Sequence, residues 1–357
     1  MSASEFQREK ADEFANRMVA MFNDGMLALM VSVGHRTGLF DAMSGMQPAT
    51  SQEIASRAGL HERYVREWLG SMVTGKVVAF DDSRGTYQLP AEHAACLTRA
   101  AGIDNMAFFS QYVPVFGEVE EKVATCFKEG GGVGYEAQRR FQRLMAEESA
   151  MVHDAKLISV ILPLVPGIVD RLRAGIDVLD IGCGCGHALN LMAAEYPKSR
   201  FTGFDISEEG IRTGRAETQR LGLGNVKFEI KDLAAFDSPG FDFVTAFDCI
   251  HDQAAPDKVL ANVRRALKPG APFLCVDIAA HTHLAGNLDH PLGPALYATS
   301  TLHCMTVSLA VGGAGLGTMW GEEKAREMMG EAGFADIQVA RVEGDIMNNY
   351  YIARAPA

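Results

Sequence analysis

A short glycine-rich segment has the residue types and spacing of a loop that binds a small ligand. Apolar residues around Asp180 predict the end of a buried parallel strand, and Gly182, Gly184 and Gly186 predict a tight turn into a helix. Glycine lets the backbone pass close to a ligand where a Cβ atom would block it. The dinucleotide-binding fingerprint G-x-G-x-x-G needs its third glycine one residue later, so this spacing favours a different ligand.

Carboxylates follow the next predicted strands at the same relative place. An apolar, strand-like segment ends in an acid at four further positions: Asp205, Asp232, Asp248 and Asp277. Ligands of open α/β sheets bind beyond the carboxyl ends of the strands. The distance of Asp205 from the glycine loop suits a ribose, because a carboxylate accepts both vicinal hydroxyls. The pattern therefore predicts a nucleotide-like ligand, with acids that merely end strands as the alternative.

This arrangement resembles class I S-adenosylmethionine (SAM)-dependent methyltransferases. The resemblance implies an α/β (Rossmann-like) domain with a seven-stranded mixed sheet, and SAM as the cofactor. It also implies which residues bind each part of the cofactor. The methionine end is bound by Asp180, Gly182, Gly184 and Gly186, the ribose by Asp205 and Ile206, and the adenine by Asp232 and Leu233. Asp248 is one further predicted cofactor contact.

A histidine–aspartate pair, His251 and Asp252, follows the fourth predicted strand. The chain resembles winged-helix O-methyltransferases here, in which a histidine at this place is the general base and a carboxylate after the fifth strand orients it. Asp277 occupies that second place, so the resemblance implies a catalytic base, His251, that Asp252 or Asp277 supports. Methyl transfer is a displacement at a sulfonium carbon, and a histidine with a pKa near 6.5 can accept the proton of the nucleophile at neutral pH. A histidine that caps the following helix is the alternative.

One departure from those enzymes concerns the later carboxylate of their catalytic site, which has no match among residues 311–319. The preceding segment instead holds several histidines and a cysteine: His281, His283, His290, His303 and Cys304. A zinc site of three of these histidines is conceivable, but the ligand spacing is missing, so we predict no metal. A polarisable pocket for a soft nucleophile is the preferred interpretation, because a thiol with a pKa near 8.5 needs little base assistance.

The same segments, 282–293 and 302–310, resemble bacterial and invertebrate winged-helix methyltransferases, some of which are linked to small thiols. The resemblance favours transfer of the methyl group to a small-molecule thiol. A small-molecule O-methyltransferase is the alternative within the same class. Nothing in the sequence identifies the acceptor.

Composition excludes some partners. The 357 residues include 45 acidic and 33 basic ones, a net charge of −12, which disfavours binding that depends on neutralising phosphates. The first residues are polar and lack an apolar signal core, and no apolar run suggests a bilayer span, so we predict a cytoplasmic protein without membrane contact. Seven cysteines without a C-x-x-C pair fit reduced thiols in that compartment.

Residues 54–89 predict two short helices and a hairpin, which together form a winged helix. DNA binding through Arg63 and Arg66 would make the protein a SAM- or ligand-sensing regulator. Glu62 and Glu67 interleave with these arginines, so no basic stripe forms. The resemblance to small-molecule methyltransferases instead implies a module that forms a homodimer.

We predict three regions: a winged-helix dimerisation domain (1–104), a helical connector that caps the substrate (105–168) and a SAM-binding catalytic domain (169–357). The glycine-rich residues 311–317 predict a flexible loop over the active site. The resemblance implies that residues of the connector and of the later segment line the pocket of the methyl acceptor: Phe109, Tyr112, Tyr135, His281, His303 and Cys304.

Overall fold

The computed structural model describes residues 6–357 and contains two compact units, with the boundary between Gly117 and Glu118. The predicted connector 105–168 spans this boundary. The N-terminal unit is mainly helical, and its elements are α1 (Arg8–Thr37), α2 (Leu39–Met43), α3 (Ser51–Ala58), α4 (Glu62–Thr74), β1 (Ala79–Asp81), β2 (Thr86–Gln88), α5 (Ala91–Leu97), α6 (Met106–Phe109) and α7 (Tyr112–Gly117), with a 3-10 helix at Arg99–Asp104.

Helices α3 and α4 followed by the β1–β2 hairpin form the predicted winged helix, which confirms the expected fold. Thr50 and Glu53 form a capping box at the start of α3, and Gly59 ends this helix in the left-handed conformation. Apolar residues of α4, among them Trp68 and Leu69, are buried in the core of this unit. Local sequence signals thus define this module from end to end.

Helix α1 is long, and its two halves have different environments. Its C-terminal half packs on the winged-helix core through Leu27 and Val31, and the Trp68 indole N–H donates to the carbonyl of Met30. Its N-terminal half exposes a set of large apolar side chains: Phe14, Met18, Val19, Met21, Phe22 and Met26. We call this set the α1 apolar face.

By length and composition alone, α1 is also the one helix among residues 6–357 that is long and apolar enough to cross a membrane. A second candidate consists of two helical segments, Arg139–Leu164 and Ile168–Ala174, which are bent by 105° at their junction. Helices in protein cores meet the same criterion, so this finding assigns no membrane span.

The C-terminal unit contains the sheet and the helices around it. Its helices are α8 (Glu120–Glu129), α9 (Arg139–Lys156), α10 (Ile168–Ala174), α11 (His187–Glu195), α12 (Glu208–Leu221), α13 (Pro256–Ala266), α14 (Gly293–Thr299), α15 (Met305–Ala310) and α16 (Gly321–Glu331). Short 3-10 helices lie at Tyr135–Ala137, Leu162–Leu164 and Leu284–Asn287, and π-helical turns at Leu157–Ile161 and Ser300–Cys304.

Seven strands form one mixed sheet in the order β5-β4-β3-β6-β7-β9-β8. They are β3 (Asp177–Ile181), β4 (Arg200–Asp205), β5 (Val226–Ile230), β6 (Phe243–Phe247), β7 (Pro272–Ile278), β8 (Ala335–Ala340) and β9 (Asn348–Arg354). The first five are parallel to one another, whereas β9 is antiparallel to both neighbours. The carboxyl ends of β3, β4, β6 and β7 therefore meet at one edge of the sheet, as the sequence predicted.

Candidate active site

The glycine loop after β3 has the conformation that its sequence requires. Gly182, Gly184 and Gly186 have φ values of 62°, 52° and 70°, a region that side-chain-bearing residues rarely adopt. A Cβ atom on Gly182 would lie 2.6 Å from the Cβ of Cys249, and one on Gly186 would overlap the Phe228 ring. Gly184 has nothing within 4 Å at its Cβ position. Two of the glycines therefore serve packing, and only Gly184 faces open space.

Asp205 at the end of β4 is tied to this loop. Its Oδ2 accepts the N–H of Gly184 at 2.7 Å, and its Oδ1 accepts the N–H of Ser207 at 2.7 Å. Burial raises the pKa of Asp205, while these backbone N–H groups act in the opposite direction. The neighbouring Ile206 side chain is 67% exposed. The carboxylate is thus oriented by the chain itself, and each oxygen has a lone pair left for a ligand.

The other predicted cofactor residues have different environments. Asp180 is buried and accepts the Thr245 hydroxyl at 2.7 Å, and burial raises its pKa to about 7. Strand β5 ends at Ile230, so Asp232 lies beyond it, where its side chain accepts the Ala234 N–H at 2.8 Å. Leu233 is 5% exposed and belongs to the hydrophobic core.

The segment after β6 packs directly against the glycine loop. The Cys249 thiol contacts the carbonyl of Ile181 at 3.2 Å, and its Cβ lies beside Gly182 as described above. Two residues later, His251 is only 4% exposed. The predicted base therefore lies beside the predicted cofactor loop.

His251 is held by Asp277 at the end of β7. The distance between His251 Nδ1 and Asp277 Oδ1 is 2.7 Å. The same oxygen accepts the indole N–H of Trp320 at 3.0 Å and the N–H of Ile278 at 2.8 Å. Nδ1 faces the carboxylate, so Nε2 is the ring nitrogen that Asp277 does not hold, and the Cys304 side chain makes a further hydrogen bond with the ring.

The charge on His251 depends on its surroundings. Burial by itself would lower the pKa of His251, but the Asp277 carboxylate outweighs this effect and raises the pKa well above 6.5. Cys304, which is buried at the end of the π-helical turn, raises it further. These effects favour the doubly protonated, positively charged ring, which an adjacent anion stabilises.

Asp252 is bonded to a segment that precedes α9. The Tyr135 hydroxyl donates to Asp252 Oδ2 at 2.6 Å, and the Gln253 amide donates to Oδ1 at 3.2 Å. Burial raises the pKa of Asp252, whereas His251 and Tyr135 act to lower it. Tyr135 belongs to residues 130–138, which we call the strap.

His303 contacts the other end of the strap. Its Nδ1 lies 2.5 Å from the Gln138 amide oxygen, and its ring stacks on Phe141 with 3.6 Å between centroids. Tyr135 meets the same ring edge-on at 5.8 Å. Burial lowers the pKa of His303 to about 3, so this ring is neutral and cannot supply a charge. The structure thus brings Tyr135, His303 and Cys304 to the base.

The remaining predicted pocket residues have other partners. The His281 ring contacts Glu323 at 2.7 Å and is about half-exposed, and His290 contacts the carbonyl of Ala279 at 3.0 Å. Phe109 and Tyr112 belong to the N-terminal unit, where they contact Phe108 and Phe116. Across residues 6–357, no three His, Cys, Asp or Glu side chains are placed to hold a metal ion.

Sequence reasoning missed two contacts with the His251–Asp277 pair. The first is Trp320, whose only signal in the sequence is its rarity, since the chain has two tryptophans. The second is the glycine-rich loop, which was predicted only to cover the site. The Gly317 N–H donates to the His251 carbonyl at 3.0 Å, and the Ala314 N–H donates to that of Ala254 at 2.9 Å. The loop therefore fixes the backbone that carries the base.

Two family models match the chain, one in each unit. An Rv2258c-like winged HTH domain matches residues 25–99, and a methyltransferase domain matches residues 172–333. Nocamycin O-methyltransferase from Saccharothrix syringae is 34% identical over 134 residues, which are 35% of this chain and 47% of that protein. The chain thus spans about half the length of the curated relatives it matches.

Solved structures resemble nearly the whole chain. Human N-acetylserotonin methyltransferase in complex with SAM superposes with a TM-score of 0.69 at 19% identity and covers 100% of both chains. An O-methyltransferase family protein from Burkholderia thailandensis has a TM-score of 0.72 at 15% identity and covers 96% of this chain and 98% of its own. The chain therefore consists of an Rv2258c-like winged helix–turn–helix domain followed by a methyltransferase domain of the class I, SAM-dependent type.

Proposed function

We propose that this protein transfers a methyl group from SAM to a small-molecule nucleophile, with His251 as the base. The observation that carries this proposal is the buried His251–Asp277 pair, 2.7 Å apart, beside the glycine loop. A base fixed at its Nδ1 by a carboxylate presents Nε2 in one orientation, as general-base catalysis requires.

The residues present fit the cofactor. Gly184 leaves open space at its Cβ position, and the Asp205 carboxylate is already oriented beside it by two backbone N–H groups. Asp205 would hold the ribose hydroxyls, and the loop backbone with Asp180 would hold the methionine end. When bound, SAM supplies an electrophilic methyl group on a positively charged sulfur.

A thiol acceptor suits this histidine better than a hydroxyl does. A raised pKa favours the imidazolium form of His251, which can pair with a thiolate and hold it in place. An aliphatic hydroxyl would need the neutral imidazole to remove its proton. The O-methyltransferase name of the nocamycin relative supports the alternative, a phenolic or enolic hydroxyl.

Turnover decides between these acceptors. Purified protein with SAM is incubated with thiols (2-mercaptoethanol, cysteamine), phenols and carboxylic acids, and S-adenosylhomocysteine (SAH) release is measured. We expect release with thiols. Release with phenols alone would replace the thiol assignment by an O-methyltransferase, and no release with any class would contradict the proposed activity.

We further propose that the protein is a cytoplasmic homodimer that does not bind DNA. Both arginines of α4 are paired within their own helix, Arg63 with Glu67 and Arg66 with Glu62, each at 2.6 Å. Paired arginines leave no excess positive charge for a phosphate backbone. Salt-dependent binding to duplex DNA would instead favour a ligand-sensing regulator.

A further inference from the structure

Two carboxylates beside the base have oxygens without hydrogen-bond partners. Within the described part of the chain, Asp248 Oδ1 and Asp277 Oδ2 are buried and accept no hydrogen bond. Phe247 pairs with Val276 across β6 and β7, so Asp248 and Asp277 are the next residues along neighbouring strands. Buried acceptors that lack a donor are costly, which points to a partner that completes them.

The backbone of Asp248 also has an unusual conformation. Its φ is 50°, a left-handed value that it shares with only two other non-glycine residues among those described, Lys76 and Asp336. Its N–H donates to the Val276 carbonyl at 2.9 Å, which holds the residue at the end of the strand. Strained conformations of this kind persist where function requires the position of a side chain.

Most of the charged side chains that act on Asp248 are acidic. Burial and the neighbouring carboxylates Asp277, Glu148 and Asp345 raise the pKa of Asp248, while His251 acts to lower it. Asp345 is already satisfied by its own turn, where it accepts the Tyr350 hydroxyl at 2.6 Å and the Met347 N–H at 2.9 Å. Because burial raises the pKa of Asp248 to about 8, the unliganded residue keeps its proton at neutral pH. A positively charged ligand would supply the missing donors and favour release of that proton, so that both side chains become carboxylates.

The position of Asp248 and Asp277, which we call the acidic cluster, indicates which cationic ligand binds there. A metal ion is unsuited, because no third His, Cys, Asp or Glu side chain of residues 6–357 completes a site. Among the residues predicted to bind the cofactor, Asp180 and Asp205 lie at the ends of β3 and β4. Asp248 was also predicted to bind the cofactor, but it follows β6 beside Asp277, the carboxylate that orients His251. The cluster therefore lies on the side of the base, where the acceptor must be.

We propose that Asp248 and Asp277 form an anionic subsite for a protonated amine of the methyl acceptor, so that the substrate is a small cationic nucleophile such as an aminothiol. This proposal rests on the methyl transfer proposed above. The amine donates to Asp248 Oδ1 and Asp277 Oδ2, the two buried oxygens without partners, while the nucleophilic atom faces Nε2 of His251. A neutral or anionic acceptor of the same length would leave the cluster unsatisfied.

A charge series of acceptors tests the subsite. Cysteamine, 2-mercaptoethanol and 3-mercaptopropionate present a cationic, a neutral and an anionic group on similar carbon chains. The ratio of kcat/KM for cysteamine over 2-mercaptoethanol is measured in the wild type and in Asp248→Asn, so that intrinsic thiol reactivity cancels. We expect this ratio to fall about tenfold or more, as for loss of a hydrogen bond to a charged group. Asparagine tolerates the left-handed backbone, so the variant should fold.

Asp257→Asn is the matched control, since it removes the same charge from an exposed position on α13. We expect it to leave the ratio unchanged. An unchanged ratio in Asp248→Asn, or an equal fall in both variants, would overturn the subsite.

Binding without turnover separates this proposal from the proposed activity. Calorimetry on SAH-saturated protein compares tyramine with 4-ethylphenol, which lacks the amine. We expect tyramine to bind more tightly and Asp248→Asn to remove the difference, even if neither compound is methylated. If Asp248→Asn instead weakens SAM while the cysteamine ratio stays unchanged, the cation belongs to the cofactor and the acceptor subsite is wrong. An unchanged SAH affinity would then identify the sulfonium, and a weakened one the α-ammonium group.

Discussion

His251 and Asp277 form a pair in which each residue determines the state of the other. The carboxylate orients the ring through Nδ1 and raises its pKa, while the ring and Trp320 occupy one carboxylate oxygen. Removing the ring removes base assistance but leaves the glycine loop and Asp205 intact. The catalytic and cofactor-binding contributions should therefore separate in single variants.

We expect His251→Ala to lower turnover by about 10²–10⁴-fold, the usual contribution of a positioned general base. SAM affinity, measured by calorimetry, should stay near the wild-type value. With a thiol acceptor, the defect should shrink as the pH rises past about 8.5, because the thiolate then forms unaided. Wild-type turnover in this variant at neutral pH would assign His251 a structural role.

Asp205→Ala should weaken SAM binding, since the ribose would lose its pair of charge-assisted hydrogen bonds. The expected cost is about 1.5–3 kcal/mol, or about a ten- to 150-fold rise in Kd. Asp237→Ala, which removes an exposed carboxylate after β5, is the control and should bind normally. Equal affinity of wild type and Asp205→Ala in calorimetry would rule out the ribose assignment.

Asp248 should make stability depend on pH. Burial, aided by Asp277, raises its pKa from 3.8 to about 8. Between these values the unfolded chain loses a proton that the folded chain keeps, so Asp248 lowers the free energy of unfolding as the pH rises. Asp248→Asn should therefore raise the Tm relative to wild type more at pH 8 than at pH 5. Thermal unfolding of both proteins without ligand measures this, and a pH-independent difference would contradict it.

At the level of elements, the strap closes the site through three separate contacts. The Val133 N–H donates to the Thr306 hydroxyl at 2.8 Å, Tyr135 bonds to Asp252, and Gln138 contacts His303. These contacts join a glycine-rich segment to the π-helical turn and to α15. The strap therefore couples the acidic neighbour of the base to the wall of the pocket.

Gly132→Ala should displace the strap. A Cβ atom on Gly132 would overlap the backbone of Thr306 and Ala310, which cannot yield as a side chain can. We expect turnover to fall at least about tenfold, because misplacement of positioning groups is costly even far from the chemistry. Gly330→Ala, in α16 with nothing within 4 Å of its Cβ position, is the control. Both rates are measured as SAH release, and equal rates would show that the strap does not act in catalysis.

Sequence predicted the elements that local signals define. The glycine loop, the order of the strands and the acids at their ends follow from hydrophobic periodicity and turn residues, and so does the winged helix. The strand that carries Asp232 was predicted too long, because Ile230 ends the pairing with β4. Trp320 contacts Asp277 across 43 positions of sequence, and Gly317 contacts the His251 carbonyl from an even more distant loop, and no local pattern encodes such contacts.

For the whole molecule, the exposed half of α1 requires explanation. Phe14, Met18 and Phe22 recur every four residues, and Met26 continues the same stripe. These side chains have no cover within their own unit. Large exposed apolar patches mark interaction sites. A second copy of the chain is the partner that we propose, since two such stripes can pack against each other as a self-complementary interface.

We expect Met18→Glu combined with Phe22→Glu to convert the dimer into a monomer in light scattering, because the charges would be buried between apolar side chains. Asn16→Glu with Ala20→Glu is the matched control, since both positions are exposed, lie on the side of α1 away from Met18 and Phe22 and receive the same charge. The control should stay dimeric. A monomeric wild type would refute the homodimer. If the wild type floats with phospholipid vesicles and the Met18→Glu/Phe22→Glu variant does not, the α1 apolar face binds a membrane instead.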